Sequence, residues 1–261
     1  MLNRAATSNC GTHVYGVAAL AFGIIGLIWG DFASVWQPIE ALPFTVSHRA
    51  AFAYIFAVCF LLGGLVIQWS RTARTGAIVL GILYMFCALF WLPRVIGFPK
   101  MIGTWSGFAE ELMLVLAAVV VYASLQSRES AWAAGTIRGA RILFGICFVV
   151  MGVAHFMALS FTAGMVPKWI PPEQQFWAIA TGIFHVCAGL AIVSGVLAVL
   201  ASRLLTAMIL GFGILIWLPN LFATPRAHMT WCGNAVNLAI AGAAWIVADS
   251  FAREQKQAAT P

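Results

Sequence analysis

Eight apolar runs, each close to the length that crosses a bilayer, constrain this chain more than any other feature. They cover residues 13–29, 51–69, 76–91, 106–125, 141–157, 176–196, 204–221 and 234–251. A hydrocarbon core takes roughly 20 apolar residues of helix, with a range of about 17–25. Breakers or charges separate the runs: Pro38 and Pro43, Arg71 and Arg74, Pro93 and Pro99, the stretch 127–139, Pro167 with Pro171 and Pro172, Ser202 and Arg203, and Pro225 and Arg226. Lipid offers no hydrogen bonds to the backbone, so such runs are expected to be helices. The expected fold class is all-α, a polytopic membrane protein of about eight transmembrane helices.

Composition excludes the soluble alternative. Hydrophobic residues make up 62% of the 261 and charged residues 8%, against roughly 45–50% and about 25% in soluble domains. The net charge of +6 comes from basic residues in short loops. No basic face interleaved with aromatics is visible, so nucleic acid is not an expected partner and the lipid bilayer is. The six cysteines form no CxxC motif, and those inside the runs read as small hydrophobes. The first run is not expected to be a cleaved signal peptide. No clear A-x-A site follows Trp29, and the run has a counterpart in mid-chain.

That counterpart points to an internal duplication. Trp105-Ser-Gly107 recurs as Trp231-Cys-Gly233, Trp91-Leu-Pro93 as Trp217-Leu-Pro219, and Gly26-Leu-Ile-Trp29 loosely as Gly152-Val-Ala-His155, all at an offset of 126. Residues 51–67 resemble 177–192 at a slightly smaller offset. Two four-helix halves are expected, 1–126 and 137–261, joined by the polar stretch 126–136. Because four is even, both halves enter the membrane in the same direction, which predicts a parallel repeat about an axis along the membrane normal.

Orientation follows from lysine and arginine. The N-terminus, even loops and C-terminus hold nine: Arg4, Arg71, Arg74, Arg128, Arg138, Arg141, Arg203, Arg253 and Lys256. The odd loops hold five: Arg49, Arg94, Lys100, Lys168 and Arg226. Both termini are therefore expected in the cytoplasm, in a multi-pass protein of the inner (plasma) membrane.

Chemistry is expected near the odd loops. Trp29, Trp36, Trp91, Trp105, Trp169, Trp177, Trp217 and Trp231 all fall toward that side. A plain aromatic belt would populate both interfaces, so either loop packing or a ligand-facing surface is implied. Intramembrane ionisable residues are costly and are functional candidates by default. Here they are Asp31, Arg94, Glu110, Glu111, His155 and His185. Asp31 and Arg94 have a plain reading at outer helix ends. Glu110 and Glu111 read as the first turn of the fourth helix, where acidic side chains suit the dipole. His155 and His185 sit about six residues apart in depth, roughly 9 Å along an axis, which argues against a shared haem. No HxxxH, HExxH, nucleotide loop or nucleophile elbow is present.

Gly152-Val-Ala-His155-Phe156, Met165-Val-Pro-Lys-Trp-Ile-Pro171, Thr181-Gly182 and Leu218-Pro-Asn220 together resemble the DoxX-like family of four-helix bacterial membrane proteins. The resemblance covers residues 141–251. It is weaker in the first half, where Trp91-Leu-Pro93-Arg94 and residues 105–111 carry it. It implies a membrane protein associated with redox chemistry, since members are linked to a thiosulfate:quinone oxidoreductase and to redox-stress complexes. Many members have no assigned activity. This chain departs from the pattern in being doubled, and its first half lacks a Val-Pro-x-Trp-x-Pro.

Two readings follow. In one, the chain is a redox-associated subunit that binds a quinone or similar apolar molecule and works with a redox partner protein. In the other, it is a non-enzymatic carrier, scaffold or assembly partner for a lipid-like ligand or another protein. Whether it is an enzyme stays open. The expected site is an outward-opening, aromatic-lined cavity in the second half, walled by His155, Phe156, Trp169, His185, Trp217 and Asn220. No metal is expected there.

Overall fold

A computed structural model of the chain describes residues 9–32, 43–126 and 130–259, the side chains of 43–47 excepted. Trp36, Pro38, Arg4 and Arg128 lie outside the described residues. Within them the structure is helical and holds eight helical segments long and apolar enough to span a bilayer. The spans are α1 (Cys10–Trp29), α2 (Pro43–Val66), α3 (Ala73–Gly97), α4 (Ile102–Ser124), α5 (Ala131–Met157), α7 (Gln174–Ser194), a seventh built of three pieces, and α10 (His228–Ala258). The short α6 (Leu159–Met165) lies between the fifth and sixth spans. The seventh span joins α8 (Ala198–Phe212), a π-helical turn (Gly213–Trp217) and α9 (Leu218–Ala223).

Several helices outrun the apolar stretches that announce them. Pro93 sits inside α3 rather than ending it. The lost N–H falls near the helix end, and lipid discourages exposing more backbone than that. Ser202 likewise lies inside α8, its hydroxyl donating back to the Ala198 carbonyl at 2.6 Å. At the other extreme α5 begins ten residues before Arg141, capped by Ser130, whose hydroxyl accepts from the Ala133 N–H at 3.3 Å. Arg141 is therefore not a loop residue. It is buried, donates to Ser250 at 2.9 Å, pairs with Glu254, and lies over the Phe251 ring at 4.1 Å. A guanidinium this far inside needs those partners, because an unpaired one would be too costly to bury.

The packing is set by small residues. In lipid no hydrophobic drive separates helix–helix from helix–lipid contact, so close backbone approach decides which faces meet. α4 and α10 are rich in alanine and glycine, and they are the most buried spans. They pack against each other at the centre; α1 lies along α10, and α5 along α4. A Cβ added at Gly242 would meet the Tyr15 backbone nitrogen at 2.6 Å, and one at Gly11 the Ile246 nitrogen at 2.6 Å. These glycines let α1 and α10 touch through their backbones.

Within each half the first two spans cross through glycines in the same way. Gly64 lies against the Gly16 carbonyl at 2.7 Å, and Gly189 against the Gly145 carbonyl at 2.5 Å, both measured from the position a Cβ would take. Gly23 likewise meets the Ala57 carbonyl, and Gly152 the Gly182 carbonyl. The Trp91 ring covers Gly107 of α4, and the Trp217 ring covers Gly233 of α10. In these crossings His155 takes the place of Gly26, because the Cβ of His155 faces Gly182 as the Cβ of Ala57 faces Gly26. The sequence alignment at offset 126 instead pairs His155 with Trp29, one helical turn away.

Candidate ligand site in the second half

His155 stands two residues from the end of α5, and His185 deep in α7. Their rings are in contact, with centroids 4.6 Å apart and planes tilted by 40°. The separation in depth read from the sequence is therefore corrected. α6 and the loop that follows carry the chain beyond the end of α5 before α7 begins, at Gln174. Eleven residues of α7, about 16 Å of rise, bring His185 back to the level of His155.

Each imidazole is fixed by its own helix. The Nδ1 of His155 lies 2.8 Å from the Met151 carbonyl, and that of His185 lies 2.8 Å from the Thr181 carbonyl. A carbonyl can only accept, so the proton sits on Nδ1 in both rings. With Nδ1 carrying the proton, a neutral imidazole keeps Nε2 as an acceptor. His185 is 2% exposed and stacks on Phe148 at 5.7 Å, with Phe212 at 6.1 Å. His155 is half-buried, so it is the more accessible imidazole of the two. The edge of the Phe156 ring and the Cβ of His155 both cover Gly182, where a larger residue would push them away.

Three of the six expected residues thus converge: His155, Phe156 and His185. Trp217 is held to α10 instead, its carbonyl accepting from Asn234 Nδ2 at 2.9 Å. Asn220 is exposed in α9, and its carbonyl accepts from the Thr224 N–H at 2.9 Å. Trp169 is 71% exposed. Phe148 and Phe212 were not among the expected residues. Phe148 lies seven residues before His155, on the same face of α5, a spacing that could have revealed it. Phe212 belongs to another helix, and no local spacing points to it.

Much of the tryptophan asymmetry is bracing. Trp105, Trp177 and Trp231 each donate Nε1–H to the carbonyl six residues back, of Pro99, Pro171 and Pro225, at 2.9, 2.9 and 2.8 Å. Three odd loops are thus tied to the starts of the following spans by one device. Trp29 stacks on His228 at 5.1 Å. Asp31 and Arg49 are not isolated charges, since they pair at 2.8 Å. Glu110 and Glu111 do not open a helix: α4 begins at Ile102, and its first turn has no acidic residue. The loop proline Pro99 misplaces the start by several residues, because Thr104 and Trp105 fold back on the loop and carry the helix nearly up to it.

Fold and site define an all-α, multi-pass membrane protein whose second half brings two histidines into contact beside phenylalanines. Residues 137–218 match the DoxX family model, so this segment is DoxX-like, as its motifs lead one to expect. The matched residues all lie in the second half and include both histidines. No curated protein and no solved structure matches the chain.

Proposed function

We propose that the second half binds an apolar, hydroxyl-bearing molecule of the quinol type from the lipid phase, with His155 as its first contact and His185 behind it. The observation that carries this reading is the pair of touching imidazoles whose Nδ1 protons are both committed to backbone carbonyls. Their Nε2 atoms accept hydrogen bonds, so they suit the O–H of a quinol better than the C=O of a quinone. The exposed Phe156 and the flanking Phe148 supply apolar walls. The protein itself then acts as a redox-associated subunit that receives or passes on such a molecule, the electrons belonging to a partner. Trp217, held to α10, and the exposed Trp169 and Asn220 stand apart from this pair and are not assigned to the site.

The reading includes the architecture. The halves 1–126 and 137–261 are parallel repeats, a view supported by the paired glycine crossings and by the matching placement of α1 on α10 and α5 on α4. The carrier or scaffold reading rests on a different observation. Phe161, Trp169 and Phe222 are each more than 70% exposed on the odd-loop side, an apolar rim against which a lipid or another protein can pack.

Titration of the purified protein in nanodiscs with a short-chain benzoquinol, read by tryptophan fluorescence, tests the site. His155→Ala should weaken binding by about 5- to 150-fold, the worth of one hydrogen bond at a semi-buried site. The corresponding quinone should bind more weakly than the quinol. Unchanged affinity in both His155→Ala and His185→Ala would make the pair a packing feature.

A further inference from the structure

The first half contains a cavity of about 20 Å³ between α1, α2, α3 and α4. Phe22, Phe56 and Phe60 give it apolar walls, and Tyr84 and Glu111 are its polar lining. Two facts separate it from a packing defect. The Tyr84 hydroxyl is fully buried and has no hydrogen-bond partner in the protein, although a buried hydroxyl without a partner is disfavoured. The neighbouring Tyr15, equally buried, donates to the Leu114 carbonyl at 2.8 Å, so the tyrosine cluster does supply partners where it can.

The volume matches one guest. A cavity needs at least roughly 10–15 Å³ of this measure to hold a water molecule, and the water needs two to four polar partners. A cavity lined only by phenylalanine would stay dry. This one offers a hydroxyl and a carboxyl. We propose that the first half holds an internal water site in which the water bridges the Tyr84 hydroxyl and the Glu111 carboxyl. This inference is independent of the ligand reading for the second half.

The crossing register points to what the second half places at the corresponding crossing. In the glycine crossings His155 takes the place of Gly26 and, by the α2 to α7 register, His185 takes that of Phe60. Gly26 and Phe60 both line the cavity. Where the first half keeps a void beside a carboxyl, the second half therefore places two imidazoles, each with its Nδ1–H bonded to its own helix. The halves thus place different chemistry at corresponding crossings: a hydrated carboxyl in one, an imidazole pair in the other.

Radiolytic hydroxyl labelling of the full protein in nanodiscs tests this, since bound internal water generates the radical locally. Cys87 lines the cavity and is 3% exposed; Cys147 is 4% exposed and serves as the buried control. Cys87 should oxidise several-fold faster than Cys147, and Glu111→Gln or Ala53→Leu should change its rate without changing that of Cys147. Tyr84→Phe should raise the unfolding constant about 2- to 10-fold, because it removes a bond to water. If Cys87 is labelled no faster than Cys147, or if Tyr84→Phe is neutral or stabilising, the cavity is dry and the proposal fails.

Discussion

Replacing Gly189 by Ala tests how the second half is held together. Its missing Cβ faces the Gly145 carbonyl at 2.5 Å, the Val149 nitrogen at 2.9 Å and a Val149 methyl at 2.9 Å. Two of these are backbone atoms, which cannot turn aside like a flexible side chain. Ordinary contact begins near 3.4 Å, so α5 and α7 would have to separate by up to about 1 Å, an overpacking strain of typically 1–3 kcal/mol. Alanine also gains about 1 kcal/mol of helix propensity over glycine, which partly offsets the strain. Gly211 in α8 supplies the control, since a Cβ there meets nothing within 4 Å. Gly211→Ala should gain the propensity alone. Relative to Gly211→Ala, Gly189→Ala should therefore be less stable by about 1–3 kcal/mol, or roughly 5- to 150-fold in the unfolding constant. Denaturing-detergent titration in mixed micelles, followed by tryptophan fluorescence, measures both. Equal stability of the two variants would refute the view that close glycine contact positions α7 against α5.

Three further outcomes are expected. Arg141→Ala should destabilise by about 1.5–3 kcal/mol through its bonds to Ser250 and Glu254, whereas Glu254→Gln should cost less because Glu254 is 65% exposed; the same detergent titration ranks them, and a larger loss for Glu254→Gln would contradict the placement. Gly182→Leu should displace His155 and Phe156, whose atoms lie 2.9 and 3.1 Å from the position a Cβ at 182 would take, and should weaken benzoquinol binding more than it lowers stability; a purely structural effect would lower stability alone. Reporter fusions after Trp132 and after Lys168 should place the first in the cytoplasm and the second outside; an external signal after Trp132 would reverse the proposed orientation.

The number of spans and the all-α class were legible because lipid imposes a one-dimensional rule: a segment must be apolar over its whole crossing and hydrogen-bonded within itself. The DoxX-like segment was legible because its motif, from Gly152 to Asn220, is local in the chain. Helix ends were read less well, since Pro93, Ser202 and Arg141 look like boundaries yet lie inside α3, α8 and α5. A proline near a helix end, a serine bonding back to its own helix, and an arginine with buried partners all keep the helix intact.

Which faces meet could not be read from hydropathy. Ile24, Ile55, Ile82 and Leu190 are exposed while Ile25, Leu80 and Ile192 are buried, and both groups are equally apolar because lipid and protein interior make the same demand. The partner of each helix was decided instead by where backbones can approach, at Gly11, Gly64, Gly189 and Gly242. The contact of His155 with His185 depends on how far α6 and its loop carry the chain before α7 turns back, a distance that composition does not encode. The cavity beside Tyr84 and Glu111 is built by four helices at once. The sequence by itself determined that the chain crosses the membrane eight times and that its second half is DoxX-like; only the tertiary structure decided which polar side chains share a space inside it, because that depends on helix register and close approach, and neither leaves a mark on local hydrophobicity.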